Sequence, residues 1–371
     1  MRKTLLSMLA LALVGFTTRA DEGMWLFTNP PKKLLEEKYK FDPTAEWLEH
    51  LQKASVRFPH GSASFVSPEG LVITNHHVGL DVLQQISDPG KKDYVKDGFL
   101  AKTRAEEVKA KNQELNVLMK IEDVTDRVNK AVTPDMPADK AANARRAVMS
   151  EIEKEGMASA KKDGIDPAKT QVVTLYQGGQ YHLYTYKKYT DVRLVFAPEQ
   201  QIAFFGGDPD NFEYPRFDLD ICIFRVYEND KPIKAENYLK WSKEGAKEGE
   251  LVFVSGNPGR TNRLNTVTDL QYQRDRTLPA ALEQLYRREV GYSVFSSRSE
   301  ENARRAKEEL FSVQNSRKAF VGELGGLLDP ATMAKKKAQE KKLRDMVANN
   351  PDLKEAVDAW DKITKAQNTI G

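Results

Sequence analysis

Two hydrophobic periodicities divide this chain. As far as Ser255 the apolar residues come in alternating or β-branched runs bounded by Gly and Pro, and beyond Asn265 they recur at helical spacing with the β signal gone. The clearest strand signals lie in residues 61–79. Ser64-Phe65-Val66, a Ser67-Pro68-Glu69-Gly70 turn and Leu71-Val72-Ile73-Thr74 predict a hairpin that delivers Asn75, His76 and His77 to a strand end. Leu115, Val117, Met119 and Ile121 alternate as a strand, residues 172–176, 181–189 and 192–196 follow, and Gly178-Gly179 marks a hairpin turn between the first two. Residues 221–227 read as a buried strand, and residues 251–255 as a further strand running into a loop over 256–263. Helices are predicted at 44–54, where Trp47, Leu48 and Leu51 share a face, at 139–162, 266–286, 299–321 and 330–348, and after Asn350-Pro351-Asp352, a cap residue followed by Pro at the first helical position. Between the β runs lies a long polar segment, residues 204–220, dense in Gly, Pro, Asp and aromatic residues. Loops of that length and chemistry are usually sites.

Composition narrows the picture. An apolar content of 40% in 371 residues is enough for two or three domains with packed cores. Residues 1–20 carry a basic start (Arg2, Lys3), an apolar run over 5–16 and Thr18-Arg19-Ala20 as a small-residue cleavage site, the layout of a secretory signal peptide. The mature chain is therefore expected to be exported, to the periplasm, the cell surface or the medium. That run is too short for a bilayer, and no later stretch reaches the roughly 20 apolar residues of a membrane helix. Three of the 57 basic residues fall in the signal, leaving 54 against 54 acidic ones, a balance that gives no electrostatic footprint for nucleic acid. Cys222 is the single cysteine and, between Ile221 and Ile223, reads as a buried small hydrophobe.

The histidines carry the candidate chemistry. Successive strand residues face opposite ways, so of His76 and His77 one is expected to be catalytic and the other structural. Their spacing is wrong for a shared ion and no third ligand type stands near, so no metal is expected. His182, among Tyr181, Tyr184, Tyr186 and Tyr189, belongs to a half-buried sheet surface, and Lys335-Lys336-Lys337 is a solvated helix face. A nucleophilic mechanism needs a base, a group that orients it and a nucleophile. Thr74-Asn75-His76-His77-Val78 resembles the histidine segment of chymotrypsin-like proteases. Asp220, heading Ile221-Cys222-Ile223-Phe224, resembles the buried aspartate of the same proteases, with Asp218 as the alternative carboxylate. Histidine before aspartate is their chain order.

Together with Gly206-Gly207-Asp208-Pro209-Asp210-Asn211-Phe212-Glu213-Tyr214-Pro215-Arg216 and the 61–77 segment, these residues resemble the bacterial dipeptidyl-peptidases of serine peptidase family 46, along essentially the whole mature chain. The resemblance implies a mixed β and α fold: a chymotrypsin-like double β-barrel, here the first barrel and the start of the second, with an inserted helical lid domain. It divides the chain into residues 21–264, with a helical insertion near 139–162, and a helical lid over 265–371 that is incomplete at its C-terminus. It also implies release of dipeptides from oligopeptides with a free N-terminus, no cofactor, and homodimers in full-length relatives. His77 then matches the catalytic base, Asp220 its orienting partner, and Asn211 and Asn315 the amides that hold the substrate's α-amino group. Phe212 stands where many members have Trp. The family's nucleophilic serine sits in a Gly-Asn-Ser-Gly segment that this chain lacks; Gly256-Asn257-Pro258-Gly259 has no nucleophilic atom, and Ser62 and Ser64 precede the base on its own hairpin. Two classes of function follow, a serine dipeptidyl-peptidase present as its N-terminal half, and an exported peptide-binding module without catalysis.

Overall fold

Each strand forms where a β-prone run finds an edge to pair with. The computed structural model describes residues 23–370 apart from 89, 205 and 259–264, so the expected signal peptide and most of the 256–263 loop lie outside the described residues. By contacts the chain divides into two units, one of residues up to 199 with 221–259, the other of residues 200–220 with 260–371.

The first unit is built on an antiparallel sheet. Its strands are β1 (Ser55–Phe58), β2 (Gly61–Phe65), β3 (Leu71–Thr74), β4 (Phe99–Leu100), β5 (Val108–Lys109), β6 (Leu115–Asp123), β7 (Ala168–Leu175), β8 (Gln180–Tyr189), β9 (Asp191–Ala197), β10 (Cys222–Glu228) and β11 (Lys231–Pro232). They run in the order β4-β9-β10-β3-β2-β1-β6-β8-β7, with β11 on β10 and β5 on β9. The 61–74 hairpin forms as expected, Ser64 opposite Ile73 and Phe65 opposite Val72. β3 then pairs with β10, Thr74 opposite Cys222 and Val72 opposite Phe224. Alternation turns Val72, Thr74, Cys222, Phe224 and Val226 to one face, where they join Val56, Phe58, Phe65, Leu115, Val192 and Leu194 in the main core. The inserted helix Ala138–Lys162 buries Ile152 in a second cluster with Val128, Val172, Tyr181 and Leu183.

At the edge of this sheet one carboxylate is almost wholly buried. The Glu107 side chain, 3% exposed, accepts from Arg225 Nε at 2.9 Å and from Tyr227 OH at 2.8 Å, while Arg225 Nη1 donates to the Glu69 carbonyl at 2.9 Å. A buried charge is tolerable only when so paired.

Two sequence expectations change. His76 and His77 do not extend the strand: Asn75, in an extended conformation, is the N-cap of a helix His76–Ile86 whose Gly79, Val82 and Leu83 are buried. The apolar spacing after Thr74 is helical, a signal hidden behind the preceding β-branched run. Residues 251–255 join no ladder among the described residues. They are held by side chains instead: Phe253 packs on Trp47 at 5.0 Å and Phe41 at 5.2 Å, and Ser55 Oγ donates to Ser255 Oγ at 2.8 Å, while Val254 stays 99% exposed. β propensity makes a strand only where a partner edge is within reach.

The second unit is helical. Thr266 and Asp269 form a capping box that opens Val267–Tyr272, and the helix continues through a π turn at Gln273–Thr277 into Leu278–Ser296. Ser299 caps Glu300–Leu328, and Asp329, accepting from Ala331 N and Thr332 N, caps Pro330–Ala348. Asn350 opens the short turn Pro351–Ala356, and Ala359–Ile370 follows. The long helix outruns the expected end at Val321 through Gly322, Gly325 and Gly326. Each glycine costs about 1 kcal/mol there, offset by Leu327, which buries beside Leu270, Leu278 and Met333.

Two predictions follow from this packing. A Cβ on Gly79 would stand 2.9 Å from Cys222 Sγ and 3.3 Å from Phe224 Cε2. Gly79→Ala therefore sets about 1–3 kcal/mol of overpacking against about 1 kcal/mol of helix propensity. The variant is expected to lower the urea midpoint, and Cys222→Ala is expected to relieve much of its effect; independent, additive effects of the two substitutions would refute the contact. The second concerns alkaline pH. Burial pushes Tyr184 up to about 12, as it does Tyr189 with help from Glu228 and Tyr227 with help from Glu107. In the unfolded chain these phenols ionise near pH 10, so the folded state holds their protons more tightly. Stability is undiminished below about pH 10 and falls as pH rises from there towards 12. Tyrosinate absorbance should thus appear together with the loss of native circular dichroism, and complete ionisation of the tyrosines in a folded protein at pH 10 would contradict this.

Candidate active site

Two candidate residues, His77 and Asp220, adjoin the β3–β10 pair in the sequence. Because Thr74 and Cys222 are register partners, the chain leaving β3 and the chain entering β10 lie at the same end of the two strands. His77 follows Thr74 by three residues in the sequence, and Asp220 precedes Cys222 by two. Successive residues of a helix are rotated by roughly 100°, and the consequence is visible: His76 is 2% exposed and His77 is exposed. The site end of the hairpin is pinned by Thr74 Oγ1, which donates to the Ser62 carbonyl at 2.8 Å. Ser62 Oγ in turn accepts from the Asn257 N–H at 2.7 Å, so this hydroxyl serves to hold the 251–258 segment against the hairpin. Ser64 sits mid-strand, opposite Ser55 and Ile73.

Of the other candidates, His182 is placed apart from that end. His182 lies on β8, with β2, β1 and β6 between it and β3 in the sheet order. It is buried, its Nε2 3.9 Å from Asp123 Oδ2. Cys222 is fully buried against the first turn of the His76–Ile86 helix, as its apolar neighbours predict. Asp218, the alternative carboxylate, pairs with Arg216 at 3.4 Å. No group of His, Cys, Asp and Glu among the described residues has the arrangement of a metal site.

The second group belongs to the helical unit and centres on Asn211. Gly206 at φ +81° turns the chain, in a space where any Cβ would collide with the Asp210 carboxylate, and a single helical turn Gly207–Asp210 leads to Asn211. Asn211 is 8% exposed, yet its side-chain amide is satisfied on both sides: Nδ2 donates to Asn315 Oδ1 at 3.0 Å, and Oδ1 accepts from Arg216 Nη1 at 3.2 Å. Two asparagines 104 residues apart in sequence are thus brought into contact. Phe212, next along, has φ +65° and is 62% exposed.

The helix Glu300–Leu328 grips this loop along one face. Lys307 Nζ donates to Gln200 Oε1 at 2.6 Å, Phe311 meets Phe204 edge-on at 4.7 Å, Asn315 meets Asn211, and Lys318 Nζ donates to the Asp208, Pro209 and Asn211 carbonyls. Lys318 also lies 3.8 Å from the Asp208 carboxylate. Spacings of four, four and three residues put all four side chains on one stripe. Arg216, Lys318 and Asp208 are the residues that sequence reasoning missed. The stripe through Asn315 was a signal that pointed to Phe311 and Lys318; nothing local pointed to Arg216.

Comparison with known proteins agrees with this architecture. The Peptidase S46 family profile matches residues 20–370. Dipeptidyl-peptidase 7 of Capnocytophaga gingivalis is 35% identical over 285 residues, covering 71% of this chain and 39% of that protein. The Asp/Glu-specific dipeptidyl-peptidase of Shewanella putrefaciens is 30% identical over 364 residues, 92% of this chain and 48% of that one. Among solved structures, Porphyromonas endodontalis DPP11 in complex with the dipeptide Arg-Glu superposes with a TM-score of 0.78 at 25% identity, covering 94% of this chain and 52% of that one. The mixed fold of a large antiparallel sheet and helices is common to both. The chain spans about half, or less, of the length of the relatives it matches. On the extent of that match, it belongs to peptidase family S46.

Proposed function

We propose that this chain is the peptide-anchoring and base-bearing part of a serine dipeptidyl-peptidase that removes dipeptides from the free N-terminus of oligopeptides. In this reading the sheet unit is the first of two chymotrypsin-like barrels with the start of the second, and the helical unit is the lid. Residues 1–20 direct export. His77 is the general base. Asp220 accepts from its other ring nitrogen, which fixes the tautomer able to take a proton from a serine hydroxyl and later to return it to the leaving amine. The observation that supports the reading most is the Asn211–Asn315 hydrogen bond at 3.0 Å. Side-chain amides suit an α-ammonium because each carries a carbonyl acceptor with two lone pairs. An anchor for the free amine explains action at the N-terminal end of a peptide, and Phe212 forms a wall beside the anchor. Specificity of this kind excludes N-blocked peptides.

A second reading, an exported module that binds peptide N-termini without cleaving them, is favoured by one feature of the sequence. Its 371 residues contain no Gly-Asn-Ser-Gly, and the nearest look-alike has Pro258 in place of the serine. Both readings predict that the chain by itself releases no dipeptide from dipeptidyl chromogenic substrates. Release that is abolished by His77→Ala would overturn the absence of a local nucleophile. The gene sequence downstream separates the two: a continuation carrying Gly-Asn-Ser-Gly decides for the enzyme, and a stop codon for the binding module.

A further inference from the structure

The Asn211 amide can bind an ammonium only through its oxygen. Amide oxygen and nitrogen are nearly the same size, so a side-chain amide is oriented by its partners alone. Here the orienting partner is Arg216. Its guanidinium can only donate, and Nη1 stands 3.2 Å from Asn211 Oδ1. That contact directs Asn211 Nδ2 to Asn315 Oδ1, at 3.0 Å. Hydrogen bonds therefore run one way, from Arg216 to Asn211 to Asn315, and each amide oxygen keeps one lone pair. We propose that Arg216 is a positioning residue of the peptide-binding site, which fixes the Asn211 amide with its oxygen as the acceptor for a peptide α-ammonium; this rests on the reading of Asn211 and Asn315 as the amine anchor.

Two further observations distinguish Arg216 from an ordinary structural arginine. Buried donors in a purely structural network are normally satisfied. Arg216 Nη2 is buried without a hydrogen-bond partner among the described residues and Nε faces the Asp218 carboxylate only at ion-pair distance, 3.4 Å, so its hydrogen bonding is directed to Asn211. The plane of the guanidinium is held by other means, with Phe204 5.1 Å away, and Phe204 is itself packed on Phe311. Its charge does not repel an incoming ammonium strongly, because Asp218 pairs with it at 3.4 Å, Asp208 stands 3.8 Å from Lys318, and Arg317 is paired with Glu289.

The test is calorimetric titration of the full chain with trialanine and with N-acetyl-trialanine, with thermal unfolding measured in parallel. The wild type is expected to prefer the free amine about tenfold or more, the value of a hydrogen bond to a charged group. Arg216→Met, and Arg216→Gln with its ambivalent amide, are expected to bring that preference to within about twofold, whereas Arg216→Lys, still a pure donor, keeps most of it. A wild type without preference would refute the amine anchor and the proposal with it. A wild-type preference that Arg216→Met leaves intact would refute the positioning role alone. Equal loss in the Met and Lys variants, accompanied by a lower Tm, would make Arg216 structural and overturn the proposal.

Discussion

The pairing of Leu71–Thr74 with Cys222–Glu228 is the constraint on which the first unit depends. It joins segments far apart in the chain, and the closure cost of such a contact is offset only by what it buries. Here Val72, Cys222, Phe224 and Val226 are all fully buried. Because side chains alternate, a slip of one residue would turn that whole set outwards, so the register is strongly specified. The same register fixes the ends of the strands, and with them the points where the chain turns towards His77 and arrives from Asp220. Gly79 then lets the helix that carries His77 settle onto Cys222. The placement of the helix that carries His77 derives here from an apolar core.

Polar groups set the geometry in the second unit. Residues 206–211 form a loop too tight and too polar to be held by apolar burial, and unsatisfied carbonyls within it would be costly. Lys318 collects three of those carbonyls and Arg216 and Asn315 take the two ends of the Asn211 amide. A single helix stripe supplies most of these partners. A long rigid helix is a good support for such a site, since residues three and four apart keep their relative positions.

Under the proposed reading, the chain contains what captures and orients a peptide's amino end, with a base to accept a proton, while the attacking hydroxyl lies outside its sequence. The coverage of relatives to about half their length is consistent with that division of labour. Family membership rests on the length of the match and is independent of it.

Much of the fold was legible locally. The 61–74 hairpin, the Gly178-Gly179 turn and the helices after Asn265 are written in period, turn residues and caps, which act over a few residues and leave their mark in sequence. Asn211 and Asn315 were legible only by likeness to a family, since no spacing law links residues 104 apart. Residues 251–255 carried a strand's composition without a strand's partner, and His76-His77 a strand's position with a helix's spacing. By itself the sequence determined most of the elements, the burial of Cys222 and the family. Only the tertiary structure decided that Arg216 meets Asn211 and that Lys318 gathers the loop carbonyls. Those are contacts between distant segments, and their energies depend on three-dimensional proximity that local pattern does not encode.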